Sequence, residues 1–268
     1  MRILITGFKG FIGKNLTEYY RDIHEVYFHH KNSDLLYSLS LYKPDIILHC
    51  AAEIYDTSLM WKSNVELTKL ILEYCVRNNT KLIHFGSSSE YGIVNVPSYE
   101  SMPLDVSTLY ATTKGISTLL CTGYAKEYNL DLAILRPYSP YGPYEKSHRL
   151  FPKLWKSFKL NEHMILKQGM HDFLYIDDLL KAVDLLLNRK NNGEIYNVSS
   201  GEQYSNSDVL HLFRKITGHQ GNVEFIDEMT TPPTWIADIS KIKRELGWSP
   251  SISLESGIRS FLSKANYE

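Results

Sequence analysis

Tyr110 and Lys114 stand four residues apart in YATTK, and Ser87, Ser88 and Ser89 form a run in FGSSSEYG. On a helix, positions i and i+4 are surface neighbours, so a phenol and an ammonium at this spacing can act on one bound molecule. A hydroxyl at the end of a strand would complete a set able to hold a substrate oxygen and exchange its proton. Each piece alone has a plainer reading. With nineteen tyrosines in the chain, the Tyr-x-x-x-Lys spacing can arise by chance as a solvated helical pair, and FGSSSEYG alone can be a polar turn.

Whether the groups converge depends on the elements that carry them. Short, nearly all-apolar runs at 2 to 6, 25 to 29, 45 to 50, 81 to 86 and 131 to 135 read as strands. Helical patterns lie between most of them, from Phe11 onward, over 60 to 78 and over 108 to 128. Such alternation predicts α/β architecture, a Rossmann-type doubly wound parallel sheet covered on both faces. The serines then follow the fourth strand, and strand C-termini are where such sheets bind ligands. Beyond Tyr141 to Pro143 the alternation weakens, and polar clusters at 143 to 148, 189 to 193 and 230 to 233 separate shorter elements. The expected division is a dinucleotide-binding domain of residues 1–142 with about 173–200. A smaller mixed α/β substrate lobe takes about 143–172 and 201–268.

The turn after the first strand, TGFKGFIG, carries Gly7, Gly10 and Gly13 between strand and helix. Glycine permits the tight turn and close backbone approach, while the helix N-terminus offers free N–H groups and partial positive charge to a pyrophosphate. An NAD site of this kind usually has an Asp or Glu about 20 residues further on, bonding the ribose hydroxyls. Here the second strand ends in His29, His30 and Lys31. With no carboxylate to repel a 2′-phosphate, and with Lys9 and Lys31 able to neutralise one, the expected cofactor is NADP(H), with NAD(H) the alternative. The plainer reading of both lysines is simple solvation.

The ordered set TGFKGFIG, HCAAE (His49 to Glu53), Asn64, FGSSSEYG, YATTK, LRPYSPYGP (Leu135 to Pro143), HDFLYIDD (His171 to Asp178), YNVSSGE (Tyr196 to Glu202) and ADISKIKRELGW (Ala237 to Trp248) resembles the extended short-chain dehydrogenase/reductases. That group contains nucleotide-sugar epimerases, dehydratases and 4-keto reductases, and the resemblance covers nearly the whole chain. It implies that Tyr110 is the acid/base, that Lys114 binds the nicotinamide ribose and lowers the Tyr pKa, and that Ser87 bonds the substrate oxygen. It further implies backbone contacts from Phe11 and Ile12 to the pyrophosphate, Ala51 and Ala52 lining the cofactor, and Tyr138 close to the nicotinamide. Packing is the plain alternative for Ala51, Ala52 and Tyr138. Bringing a phenol from a pKa of ~10 toward neutrality takes about 1.4 kcal/mol per unit, roughly 4 kcal/mol in all. An exposed helical ion pair supplies only ~0.3 to 0.5 kcal/mol. The site is therefore expected to be partly dry.

Three departures bear on the reaction. Dehydratases of this group usually carry acidic residues just after the catalytic hydroxyl, where this chain has Ser88 and Ser89, with Glu90 next to them. His171 stands where many relatives have an Arg that clamps the nucleotide diphosphate, and imidazole lacks the bidentate fork. Arg149, Lys153 or Lys156 could take over, or could be surface charges. Ser139 stands where many relatives have a substrate-bonding Asn. With Ser87 and Ser88, the expected substrate contacts are Ser139, Arg149 and His171.

The remaining bounds come from composition. The 268 residues, 43% hydrophobic and 22% charged with a net charge of -1, suit a globular protein with a small-molecule partner. Nothing marks a nucleic-acid or membrane surface. Cys50, Cys75 and Cys121 suit reduced core thiols rather than disulfides or a metal site, and no apolar run reaches the ~20 residues of a membrane span. The expectation is a cytoplasmic protein, with a homodimer through the helices near 60 to 78 and 108 to 128 implied by the resemblance. The expected reaction is NADPH-dependent reduction of a nucleotide-linked 4-keto-6-deoxy sugar for a surface polysaccharide. The alternatives are an NAD-dependent nucleotide-sugar 4-epimerase and a non-catalytic dinucleotide-sensing regulator.

Overall fold

Apolar side chains on both faces of a strand must be covered on both sides, and the first half of the chain is built on that requirement. The computed structural model describes residues 1–227 and 234–265; the polar cluster at 230 to 233 lies outside the described residues. In chain order come β1 (Arg2–Thr6), α1 (Phe11–Tyr20), β2 (Glu25–His29), α2 (Leu35–Tyr42), β3 (Ile46–His49), α3 (Thr57–Met60), α4 (Leu67–Asn78), β4 (Lys81–Phe85), α5 (Leu109–Tyr128) and β5 (Leu132–Pro137). They are followed by β6 (Pro140–Tyr141), α6 (Leu150–Lys159), β7 (Met164–Lys167), β8 (Met170–His171), β9 (Leu174–Tyr175), α7 (Ile176–Leu187) and β10 (Asn192–Val198). The chain closes with β11 (Tyr204–Ser205), α8 (Asn206–Thr217), β12 (Val223–Ile226), α9 (Ser240–Leu246) and α10 (Leu254–Lys264).

Two compact units result. The first comprises residues 1–92, 100–137 and 180–197, and the second residues 93–99, 138–179 and 198–268. The first unit holds a six-stranded sheet in the order β10-β5-β4-β3-β1-β2, with every pairing from β2 through β5 parallel. This is the doubly wound sheet expected from the apolar runs. Leu4, Ile47, Leu82 and Ile134 point from four adjacent strands into one core with Ile71, Leu72 and Cys75 of α4 and Cys121 and Ala125 of α5. Each large aliphatic side chain fully buried this way is worth about 1.5–3 kcal/mol.

Local chemistry sets the helix ends. Asp34 accepts from the amides of Leu36 and Tyr37 at the start of α2, and Thr108 accepts from Ala111 at the start of α5. Asn79 and Asn129 close α4 and α5 in the left-handed region, at φ 51° and 50°. Between α3 and α4 the helix widens into a π-helical segment, Trp61–Glu66. Asn64 sits inside it with its amide bonded to the backbone of Glu53 and to Thr113 of α5, while its own carbonyl accepts from Thr68 and Ser117.

The second unit is made of strand pairs rather than one sheet: β6 with β9, β7 with β12, and β8 with β11. Its core is aromatic. Tyr141 stacks on Phe151 with ring centroids 4.0 Å apart, and Phe173, Phe213 and Phe261 surround Phe151. Two buried aspartates fix its loops: Asp172 accepts from Ser199, Ser200 and Ala237, and Asp178 from Ser251 and Ile252.

Candidate active site

In the first unit, Gly7 leaves β1 at φ +70°, in the left-handed region that favours glycine. A Cβ there would meet the Ala51 backbone at 2.7 Å, and one on Gly13 would meet the Gly7 carbonyl oxygen at 2.3 Å. The turn is thus closed against the segment after β3 and against α1, leaving room for neither side chain. Gly10 is the N-cap of α1 and brings no side-chain bond to the first-turn amides, and Phe11 and Ile12 in that turn are only half-buried. Such a turn can hold a pyrophosphate by backbone alone. The residues present therefore fit a dinucleotide.

Phe8, inside the turn, packs on Phe28 and His30 with centroids 4.8 Å away in each case. Lys9 is exposed, with Nζ 5.8 Å from the Phe8 ring centroid. Lys31 is exposed too, and its charge helps hold Glu53 and Asp56 below the ordinary carboxylate range, an effect due first to hydrogen bonds from Tyr55 and Ser58 respectively. Ala51 is half-buried and Ala52 exposed.

At the end of β4 the chain reaches the three serines. Ser87 is half-buried in extended backbone, and its Oγ lies 2.7 Å from Ser89 Oγ while accepting from the Ser89 amide. Ser88 is buried at 8% exposure. Glu90 closes the turn from below. It is wholly buried, one carboxylate oxygen accepting from the Ser87 amide at 2.7 Å and the other from both Nε and Nη2 of Arg136 at 2.9 Å.

Helix α5 packs against this turn and brings Tyr110 and Lys114 with it. Tyr110 is half-buried, and its carbonyl accepts from Thr113. Lys114 is 2% exposed and donates from Nζ to the Phe85 carbonyl at 2.5 Å. Burial lowers its pKa, against the pull of Glu90, Cys121 and Cys50. The ammonium thus lies in a dry environment beside the strand end that carries Ser87. Beneath it, His49 and His84 pair across β3 and β4, both buried and held well below the ordinary imidazole range by desolvation first and the Lys114 charge second.

The second unit carries the remaining expected residues. Tyr138 is buried, with its ring 6.2 Å from that of Trp235. Ser139 has φ +24° and its Oγ lies 3.4 Å from His171 Nδ1. Burial first, and the Arg149 charge second, push His171 down to about 4, so it is a neutral imidazole near neutral pH. Arg149 is half exposed and pairs with the buried Glu145 at 3.3 Å, Lys156 pairs with Glu162 at 3.6 Å, and Lys153 is exposed.

The sequence model of the NAD dependent epimerase/dehydratase family matches residues 3–199, running from β1 past β10. The chain belongs to that family. Among relatives, it is 29% identical over 229 residues to an uncharacterized UDP-glucose epimerase of Bacillus subtilis, covering 80% of this chain and 72% of that protein. It is 25% identical over 228 residues to dTDP-glucose 4,6-dehydratase of Streptomyces griseus, covering 80% and 69%. The solved structure of UDP-glucuronic acid 4-epimerase from Bacillus cereus in complex with UDP-glucuronic acid and NAD superposes with a TM-score of 0.84 at 27% identity, over 98% of each chain.

As an epimerase/dehydratase family member the chain has one feature that motif reading missed. Glu90 was visible only as the neighbour of the serines; its partner Arg136 lies 46 positions later, and nothing local links them. Among the described residues no His, Cys, Asp or Glu cluster could hold a metal ion, and no helix is long and apolar enough to cross a membrane. The three cysteines are free, Cys75 and Cys121 in the core and Cys50 half-buried.

Proposed function

We propose that this protein is an NAD(P)-dependent oxidoreductase acting at C4 of a nucleotide-linked sugar, and that in net terms it reduces a 4-keto-6-deoxy sugar. The observation that carries the reading is Lys114, an ammonium buried beside the end of β4 and one helical turn from Tyr110. A cation in a dry site favours the phenolate far more than an exposed pair would. In this reading Tyr110 gives its proton to the sugar oxygen, Ser87 bonds that oxygen, and Lys114 sets the phenol's acidity. The bound dinucleotide supplies the nicotinamide carbon that exchanges hydride with the sugar. Gly7, Gly10, Phe11, Ile12 and Gly13 cradle its pyrophosphate, with Ala51, Ala52 and Tyr138 beside it. On the substrate side the reading assigns Ser88, Ser139, Arg149 and His171, the last as a neutral hydrogen-bonding group.

Dehydration is disfavoured: Ser88 and Ser89 have no acid or base to offer for eliminating water, and the Glu90 carboxylate is wholly buried against Arg136. NADP(H) is favoured by the exposed Lys9 and Lys31 and by the lack of a carboxylate at the end of β2. A second reading is a 4-epimerase retaining NAD, supported by the family and by the Bacillus cereus 4-epimerase crystallised with NAD. Denaturing the purified protein and identifying the released dinucleotide separates them. Free protein that turns over NADPH with a UDP-, dTDP- or GDP-linked 4-keto-6-deoxy hexose supports reduction, and tightly held NAD with no such turnover overturns it.

A homodimer is part of the proposal. Leu59, Trp61, Leu70, Leu119 and Tyr128 are exposed on α3, α4, α5 and the π-helical segment, Trp61 at 53% and Leu119 at 62%. Sedimentation of native protein against Leu119→Glu checks it: a dimer becoming a monomer supports this face, and an unchanged species rejects it.

A further inference from the structure

Glu90 stands at the head of a buried chain of hydrogen bonds that reaches the candidate site at the backbone of Ser87. One oxygen takes the Ser87 N–H at 2.7 Å; the other takes Nε and Nη2 of Arg136, each at 2.9 Å. Arg136 Nη1 goes on to donate to Tyr91 Oη at 2.7 Å, and that hydroxyl donates to Asn197 Oδ1 at 2.7 Å. The Asn197 amide in turn donates to Glu100 Oε1 at 2.9 Å, and the Glu90 carbonyl accepts from the Asp105 amide at 3.1 Å. Strands β5 and β10 therefore anchor a guanidinium, the guanidinium anchors a carboxylate, and the carboxylate anchors one amide.

The turn has been fitted around that carboxylate. A Cβ on Gly86 would lie 2.7 Å from Glu90 Oε1, so the residue before Ser87 has no room for a side chain. A buried ion pair is a poor device for stability alone, because desolvating both charges offsets most of their attraction and an apolar pair of similar volume often does as well. It is a good device for fixing geometry, since each of its bonds is directional and charge-assisted.

We infer that Glu90, held by Arg136, is a positioning residue for Ser87: it fixes the amide, and through it the direction of the hydroxyl that meets the substrate oxygen. The inference rests on the reading of Ser87 as the group that bonds that oxygen. It also assigns Glu90 a role other than acid/base chemistry, since both of its oxygens are engaged within the fold.

A double-mutant cycle tests it, with single-turnover rates measured using NADPH and whichever UDP-, dTDP- or GDP-linked 4-keto-6-deoxy hexose the native enzyme reduces. The double variant Glu90→Gln/Arg136→Met removes both charges and keeps an oxygen acceptor for the Ser87 amide. The variant Glu90→Leu/Arg136→Met removes the acceptor as well. The first should stay within about 3-fold of native, and the second should lose about 10-fold or more in rate with unchanged NADPH affinity. Adding Ser87→Ala to the Leu/Met variant should cost little further, because residues acting as a unit are not additive.

Equal rates for the Gln/Met and Leu/Met variants, or a Ser87→Ala penalty that multiplies in full in the Leu/Met background, overturn the inference while leaving the proposed function standing. Ser87→Ala without effect in the native background instead overturns the assignment of Ser87. Should the Leu/Met variant fail to fold, amide hydrogen exchange on the native enzyme decides. Slow exchange at Ser87 that is preserved in Glu90→Gln/Arg136→Met supports the anchor, and fast exchange at Ser87 in the native protein rejects it.

Discussion

Lys114 donates from its ammonium to the backbone carbonyl of Phe85 at 2.5 Å, which ties helix α5 to the end of strand β4 two residues before Ser87. The bond sets the height of α5 against the strand and so the place of Tyr110, the proposed acid/base. It also keeps a cation where burial penalises it.

Lys114→Met should therefore cost catalysis more than stability, because the desolvated ammonium is already a burden to the fold. kcat should fall by about 100-fold or more. The proposed reduction uses the protonated phenol, so activity should fall as pH rises through its pKa, and loss of the cation, which favours the phenolate, should displace that falling limb to higher pH. Lys114→Arg should not rescue it, since a planar fork cannot occupy the ammonium's place. Rate against pH for the three proteins is the check.

The glycine turn gives a pair of opposite effects. Gly13→Ala drives a methyl to 2.3 Å from the Gly7 carbonyl oxygen, whereas the exposed Gly123 of α5 has nothing within 4 Å of an added Cβ. The first should destabilise by about 1–3 kcal/mol and weaken dinucleotide binding. The second should stabilise by roughly 0.5–1 kcal/mol through helix propensity. Denaturant midpoints, with titration of the dinucleotide for Gly13→Ala, measure both.

Acid should unfold the protein through its buried imidazoles. Burial depresses His49 to about 3 and holds His84 well below the unfolded value near 6.5. A depressed pKa means that their contribution is present above about 6.5 and lost as pH falls toward the folded values, at ~1.4 kcal/mol per pH unit for each ring. Among the described residues neither ring nitrogen of His84 has a hydrogen-bond partner. His84→Phe should accordingly cost little at pH 7.5 and flatten the loss below pH 6, read from denaturant midpoints across that range.

Glu145 carries the opposite sign. Burial raises its pKa to about 7, against the pull of Arg149, so its contribution is present below the unfolded value near 4.5 and lost as pH rises through 7. Glu145→Gln should be more stable than the native protein at pH 8 by about 1–3 kcal/mol and nearly equal to it at pH 5. Melting at the two pH values is the test.

Much of this was legible in the chain, for a physical reason in each case. The strands β1, β3, β4 and β5 are buried on both faces, and runs such as ILIT and IILH announce that burial directly. The glycine spacing was legible because only glycine fits where backbone meets backbone. Strand β10 was not: NGEIYNV opens on Asn-Gly, exposes Asn192 and Glu194, and places the polar Asn197 in its buried end, so no apolar run marks it. The π-helical segment was hidden because Met60, Val65, Thr68 and Ile71 keep a near-helical rhythm across it. The bond from Ser87 to Glu90 is local, but the Arg136 that justifies a buried carboxylate comes from another strand, and only folding joins them.

The central claim is that Tyr110, with Lys114 and Ser87, serves hydride transfer at a sugar C4. The most direct measurement supplies dinucleotide deuterated at the nicotinamide C4 with UDP-, dTDP- and GDP-linked 4-keto-6-deoxy hexoses, using native enzyme and Tyr110→Phe, and locates the label by NMR. The account predicts deuterium on sugar C4 with native enzyme and about 100-fold or greater loss of that product with Tyr110→Phe. Product without label at C4, or equal labelled product from both proteins, would contradict it.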